Sequence, residues 1–325
     1  MRPMDLDPTY LPYLKEAQAS QPAPIREQNV LERRVRMAAL RREKAEPLPG
    51  DIQMRETAFE VGGRQIKARV YRPSTSGPHP CVIHIHGGGW MYGSPEQSQD
   101  IAVRLCRGAK AVVVAPTYRL SPEHTFPAAF EDCLETLRWV MAASRDLDVD
   151  ATRLAVMGES SGGTLATACA IAARDAKLSG LRLQVLNYPA LGTDFETDSY
   201  RDNADAPILD RGDMMYFWRA YLGGRLDTKD PRAVPLTAVD LVGVASALIM
   251  VAEYDPLRDD GLRYAHALEA AGVPVELHRA HRLPHGFLRA WNVSADAARL
   301  GDAMIAGLRR AFGISIQQEQ QRRVQ

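Results

Sequence analysis

In Gly158-Glu159-Ser160-Ser161-Gly162-Gly163 a serine hydroxyl has a glycine two positions away on each side. That spacing puts the serine on a turn tight enough to lift Oγ clear of the backbone, because a side chain at either flank would collide with the turn. The pattern fits Ser160. Centring it on Ser161 would put Glu159 where a glycine is needed. Residues 154–157 read as a strand and residues 164–173 as a helix. The candidate nucleophile Ser160 thus stands at a strand's carboxyl end and a helix N-terminus, whose dipole favours developing negative charge.

A second glycine cluster, His86-Gly87-Gly88-Gly89-Trp90, follows the apolar strand-like run Val82-Ile83-His84-Ile85. Ligands of open α/β sheets bind beyond the carboxyl ends of strands. Three glycines there let the backbone approach a substrate oxygen and present N–H groups to it. With the N–H of Ser161 they would complete an oxyanion hole.

A serine nucleophile needs a base, and the base needs a carboxylate to orient it. The run 247–252 ends in Glu253-Tyr254-Asp255-Pro256-Leu257, where Pro256 stops the ladder. Asp255 is the candidate acid and Glu253 its competitor. After the next strand, 275–278, comes a loop with His281 and then Leu283-Pro284-His285-Gly286-Phe287. His285, beside a flexible glycine, is the candidate base and His281 the alternative. The order Ser, Asp, His is that of G-x-S-x-G hydrolases. His79, His84, His124 and His266 read as structural, and His86 as shaping the glycine loop.

The elements that must carry these groups alternate along the chain. Short apolar runs at 81–85, 111–115, 154–157, 181–186, 247–252 and 275–278 read as strands, with helical stretches at 127–143, 162–173 and 261–271 among them. That alternation predicts a parallel sheet buried on both faces. Before it, 57–61 and 66–72 alternate about Gly62-Gly63, a hairpin signal. Residues 1–46 contain an amphipathic helix from Val30 to Leu40-Arg41 that stops before Pro47-Leu48-Pro49-Gly50. Residues 191–235 interrupt the alternation. Their Met214, Met215, Tyr216, Phe217, Trp218 and Tyr221 read either as core aromatics or as a lid over a cleft. Leu300, Met304, Leu308 and Phe312, four apart, give the last helix its apolar face. The polar tail 317–325 is expected to fray.

The 325 residues suit one large α/β unit. Forty Lys plus Arg balance forty Asp plus Glu, and without a basic excess a polyanionic nucleic acid is not an expected partner. Cys81, Cys106, Cys133 and Cys169 are scattered, so buried free thiols, a reducing compartment and no metal site are expected. The N-terminus lacks the apolar stretch of a signal peptide and no run of 18 apolar residues occurs. Cytoplasmic location and no integral membrane span are the expectations.

Taken together, His86-Gly87-Gly88-Gly89, Tyr118-Arg119-Leu120-Ser121-Pro122-Glu123-His124, Phe126-Pro127-Ala128-Ala129, Gly158-Glu159-Ser160-Ser161-Gly162-Gly163, Asp255-Pro256-Leu257-Arg258-Asp259-Asp260-Gly261 and His285-Gly286-Phe287 resemble the hormone-sensitive-lipase-like (bacterial family IV) carboxylesterases of the α/β-hydrolase superfamily. The resemblance runs from about residue 50 onward. It implies an α/β-hydrolase fold, with a mostly parallel central sheet flanked by helices and a helical cap. It implies a triad of Ser160, Asp255 and His285, and an oxyanion hole from the N–H groups of Gly88, Gly89 and Ser161. His86, Gly87, Trp90, Glu159 and Trp218 are the expected pocket residues. The cap would comprise 1–50 and 191–235, the core 51–190 and 236–325. A small ester is the expected substrate, with short-to-medium acyl chains, no cofactor and a possible homodimer. Two residues depart from the family pattern: Glu159 and Ser161 stand where Asp and Ala are usual. An amidase, lactonase or deacetylase would use the same triad. Non-catalytic plant gibberellin receptors resemble the family but lack the histidine that is present here as His285.

Overall fold

A computed structural model describes residues 4–21, 23–43 and 46–314. The hairpin forms about Gly62-Gly63, but its strands, β1 (Ile52–Val61) and β2 (Arg64–Pro73), are longer than the alternation suggested. Six more strands follow: β3 (His79–Ile85), β4 (Val112–Pro116), β5 (Val149–Glu159), β6 (Leu181–Asn187), β7 (Ser246–Tyr254) and β8 (Val275–Pro284). They form one sheet in the order β1-β2-β4-β3-β5-β6-β7-β8. Pairing is parallel from β4 through β8, while β2 runs antiparallel to both β1 and β4. Every residue of β3 and β4 is buried, as expected where helices cover both faces of a sheet.

Side chains alternate between two cores. Ile83, Val114, Val156 and Ile249 face one, packed by α4 (Ala128–Ala142), α5 (Ser161–Asp175) and α8 (Arg258–Ala270). Val82, Val113, Ala155 and Leu248 face the other, closed by α3 (Gln99–Ala109) and α9 (Ala295–Ala311). Leu300, Met304, Leu308 and Phe312 all lie in that second core. Helix α3 takes in the helix-like run around Cys106, and Ile101, Leu105 and Cys106 give it a fully buried face. All four cysteines are buried and unpaired, and burial pushes the Cys106 thiol up to about 12. No helix among the described residues is long and apolar enough to cross a membrane. The tail 317–325 lies outside the described residues.

Two segments stand apart from the layers. The N-terminal one holds α1 (Leu11–Ala19) and α2 (Val30–Glu43), joined by a turn at Ile25–Glu27. The other lies between β6 and β7 and holds α6 (Asp198–Asp202) and α7 (Arg211–Leu222). Asp210 caps α7 by accepting from the Asp213 N–H at 2.6 Å, and Gly223 ends it in the left-handed conformation. Arg26 joins the segments, pairing with Asp210 and Asp213 at 2.7 and 3.1 Å, while the N–H groups of Ile25 and Arg26 also donate to Asp213. Arg34 anchors α2 to the core by donating to the carbonyls of Met91 and Ser121.

Candidate active site

Strand β5 delivers the nucleophilic turn. Ser160 has φ 55° and ψ −120°, between the last residue of β5 and the first of α5. A non-glycine residue held at positive φ stores of the order of 1–3 kcal/mol of strain, which the surroundings must over-determine. Here they do. A Cβ on Gly158 would collide with the Gly162 carbonyl, and one on Gly162 with the carbonyls of Ile85 and His86. The Ser160 N–H donates to Asn187 O at 2.9 Å, and its carbonyl accepts from the Gly163 N–H at 2.9 Å.

Asp255 directly follows β7 and His285 directly follows β8. His285 Nδ1 lies 2.7 Å from Asp255 Oδ2, and His285 Nε2 lies 3.0 Å from Ser160 Oγ. Asp255 is fully buried, and its second oxygen accepts from the Leu257 N–H at 2.8 Å. The competitors stand elsewhere. Glu253 accepts from the Arg282 N–H, and His281, in β8, points into solvent with its side chain 70% exposed. Neither reaches Ser160.

The glycine loop after β3 faces the same point. Gly88 and Gly89 have φ 124° and 61°, and a Cβ on Gly88 would strike the Tyr92 carbonyl. The N–H groups of Gly88, Gly89 and Ser161 have no acceptor among the described residues. His86 braces the loop: its Nδ1 lies 2.9 Å from Gly87 O and 3.2 Å from the Tyr118 hydroxyl. Burial pushes its imidazole down to about 4, so the ring is neutral and serves as a hydrogen-bonding strut.

These groups open into a cavity of about 770 Å³, walled by α1 and α2 on one side and by residues 206–217 on the other. Of the residues expected in the pocket, Gly87 and Glu159 line it. Trp90 and Trp218 do not, which corrects the sequence expectation. Both are fully buried behind the wall, where Trp90 stacks on Tyr221 at 4.4 Å and tilts against Trp218 at 4.4 Å. Helical periodicity turns Phe217 inward in place of Trp218, and the Phe217 ring lies where a Cβ on Gly89 would be. His86 also sits behind the loop and is not part of the lining.

Behind Ser160, Glu159 Oε1 pairs with His84 Nε2 at 2.9 Å, and Oε2 accepts from the Tyr188 hydroxyl at 3.2 Å with Arg289 3.5 Å away. Burial alone would raise this carboxyl, but the Arg289 guanidinium and the His84 hydrogen bond outweigh it and hold it at about 2. Tyr188 also meets the His285 ring edge-on at 4.8 Å. Sequence reasoning missed Tyr188 and Arg289. Tyr188 directly follows β6, and that place at a strand's carboxyl end was the available signal.

A family model described as the alpha/beta hydrolase fold matches residues 82–289. The chain is 39% identical over 285 residues to the carboxylesterase NlhH of Mycobacterium tuberculosis, a match covering 86% of this chain and 89% of that protein. The chain belongs to the hormone-sensitive-lipase-like carboxylesterases of the α/β-hydrolase superfamily. This carboxylic-ester hydrolase is also 35% identical over 239 residues to the ethyl acetate hydrolase of Pseudomonas putida, covering 72% of this chain and 75% of that one. Among solved structures, a hyperthermophilic esterase from the archaeon Pyrobaculum calidifontis matches it with a TM-score of 0.88 at 34% identity, over 96% of this chain and all of that one.

Proposed function

We propose that the enzyme hydrolyses short-to-medium acyl esters through an acyl-enzyme, with Ser160 as nucleophile, His285 as general base and Asp255 as the carboxylate that orients it. The observation that carries this reading is the unbroken relay from Ser160 Oγ through His285 to Asp255, at 3.0 and 2.7 Å, on the floor of the cavity. An ionised carboxylate only accepts, so Asp255 holds the proton on Nδ1 and leaves Nε2 to take the Ser160 proton. Ser160 Oγ then bonds the acyl carbon. Negative charge moves to the carbonyl oxygen, which the unpaired N–H groups of Gly88, Gly89 and Ser161 are free to receive. His285 returns the proton to the departing alcohol, and water repeats the cycle on the acyl-enzyme.

The name of the ethyl acetate hydrolase favours short acyl groups here too, and the cavity volume leaves room for longer ones. In this reading residues 1–50 and 191–235 act as the cap. The test is turnover of p-nitrophenyl butyrate. Ser160→Ala should lower kcat by at least about 10⁴-fold, whereas Ser161→Ala, which keeps its backbone N–H, should stay within about tenfold of the parent. The reverse pattern would overturn the assignment.

A further inference from the structure

Arg41, in the last turn of α2, lines the cavity that holds Ser160 and His285. It is only partly exposed; Tyr13, Asp100 and Glu159 attract its charge, but no hydrogen bond ties its guanidinium to another of the described residues. The strongest influence on it is another cation. Arg289 pushes its guanidinium down, and burial adds to the effect. Burial raises the neighbouring Tyr13 phenol while Arg289 and Arg41 both pull against it, so the three side chains share one corner of the wall.

The acids lining the cavity are already engaged. Glu159 is held by His84, Tyr188 and Arg289, Asp210 and Asp213 by Arg26, and Glu16 is not free. Arg33 lies over the Tyr92 ring and bonds Gln28. Arg289 is fixed by the Gln97 carbonyl and Ser98 Oγ at 2.7 and 3.0 Å. Asp100 and Glu159 offset part of this positive charge, Asp100 Oδ1 lying 3.9 Å from Arg289 and both carboxylates acting on Arg41, but neither occupies the N–H donors that Arg41 turns to the cavity. A guanidinium with its fork of N–H donors unused is shaped for a carboxylate.

We propose that the corner formed by Tyr13, Arg41 and Arg289 binds a free carboxylate, so that the preferred ester substrates carry a second, ionised carboxyl group. This deepens the hydrolase reading above and rests on it. The chemistry is unchanged. Water cleaves the acyl C–O bond, the alcohol leaves with a proton, and the bound carboxylate takes no part. Arg41 is a specificity-determining residue in this account, held in place because Arg34 pins α2 to the core.

Two probe pairs cover both sides of the ester: mono-p-nitrophenyl adipate against its primary amide, and 6-butyryloxyhexanoate against its amide. The full-length enzyme should prefer the carboxylate member of at least one pair by tenfold or more in kcat/KM. Arg41→Gln should reduce that preference to within about twofold, mainly through KM, and Arg41→Lys should restore part of it. Adipate should compete with a neutral ester more strongly than hexanamide does, a readout on the parent that does not require the variant to fold. No preference in either pair, or a preference that survives Arg41→Gln, overturns the proposal. If the parent cleaves none of the four ester probes, the hydrolase reading itself has failed, which is a separable result.

Discussion

Glu159 divides its charge among His84, Tyr188 and Arg289 directly behind the nucleophilic turn, and Tyr188 in turn packs on His285. A buried carboxylate in that position cannot lose its charge cheaply, since Arg289 would keep only the exposed Asp100 carboxylate, 3.9 Å away. We expect Glu159→Gln to cost about 3 kcal/mol in urea unfolding. It should also slow turnover by loosening the seat of His285. The pH dependence has a definite sign. The carboxyl is held at about 2, below its ordinary 4.5, so its stabilisation is complete above pH 4.5 and is lost as pH falls through about 2. The deficit of Glu159→Gln should therefore be constant from pH 5 to 8 and shrink toward pH 3. A deficit that grows on acidification would contradict the network described here. Ser160, Asp255 and His285 were legible because the turn, the strand ends and the chain order impose residue types. Tyr188 and Arg289 were not, because an aromatic after a strand and an arginine four residues beyond a histidine have no spacing rule of their own.

At the scale of elements, Asp260 ties α8 to the start of the β6–β7 insertion by accepting from the N–H groups of Leu191 and Gly192 at 2.8 and 2.9 Å. Its other oxygen is buried without a partner. Burial raises the carboxyl to about 7, even though those two N–H groups and Arg263 pull it down. The folded state therefore binds a proton that the unfolded chain gives up near 3.8, and stability from this group declines as pH rises from about 4 to 7. The Tm advantage of the parent over Asp260→Asn should be larger at pH 5 than at pH 8. An advantage that is flat or larger at pH 8 would show that the carboxyl is ionised throughout. The strands themselves were readable from apolar runs, with one instructive exception. The run 275–278 stops where exposed polar residues begin, yet β8 continues to Pro284 because its backbone goes on pairing with β7 at Val251↔Arg279 and Ala252↔Ala280. As an edge strand it carries solvent-facing Arg279, His281 and Arg282 at no cost. His285 thus sits at a strand end rather than out on a loop. Helix α1 went unread because residues 1–46 mix prolines and polar residues, and the residues just before it are tied down far along the chain, the Asp7 N–H donating to Arg282 O in β8.

Across the whole molecule, the sheet presents the carboxyl ends of β3, β5, β6 and β8 to the cavity, and two segments from outside the layers close over it. Phe217, from the second of these segments, is one of the aromatics that line the cavity. Phe217→Ala should lower kcat/KM for p-nitrophenyl butyrate by about tenfold, equivalent to roughly 1.4 kcal/mol of lost transition-state binding. Because the space left behind accepts a longer chain, the octanoate-to-butyrate ratio should rise. An unchanged ratio would place the acyl group elsewhere. The central claim, that one serine carries the acyl group, is tested most directly on the intact protein with a p-nitrophenyl alkylphosphonate. We predict one equivalent of p-nitrophenol released, one adduct by intact mass, and its location in the peptide containing Ser160. The adduct should be absent from Ser160→Ala and retained in Ser161→Ala. Labelling that persists in Ser160→Ala would contradict the account.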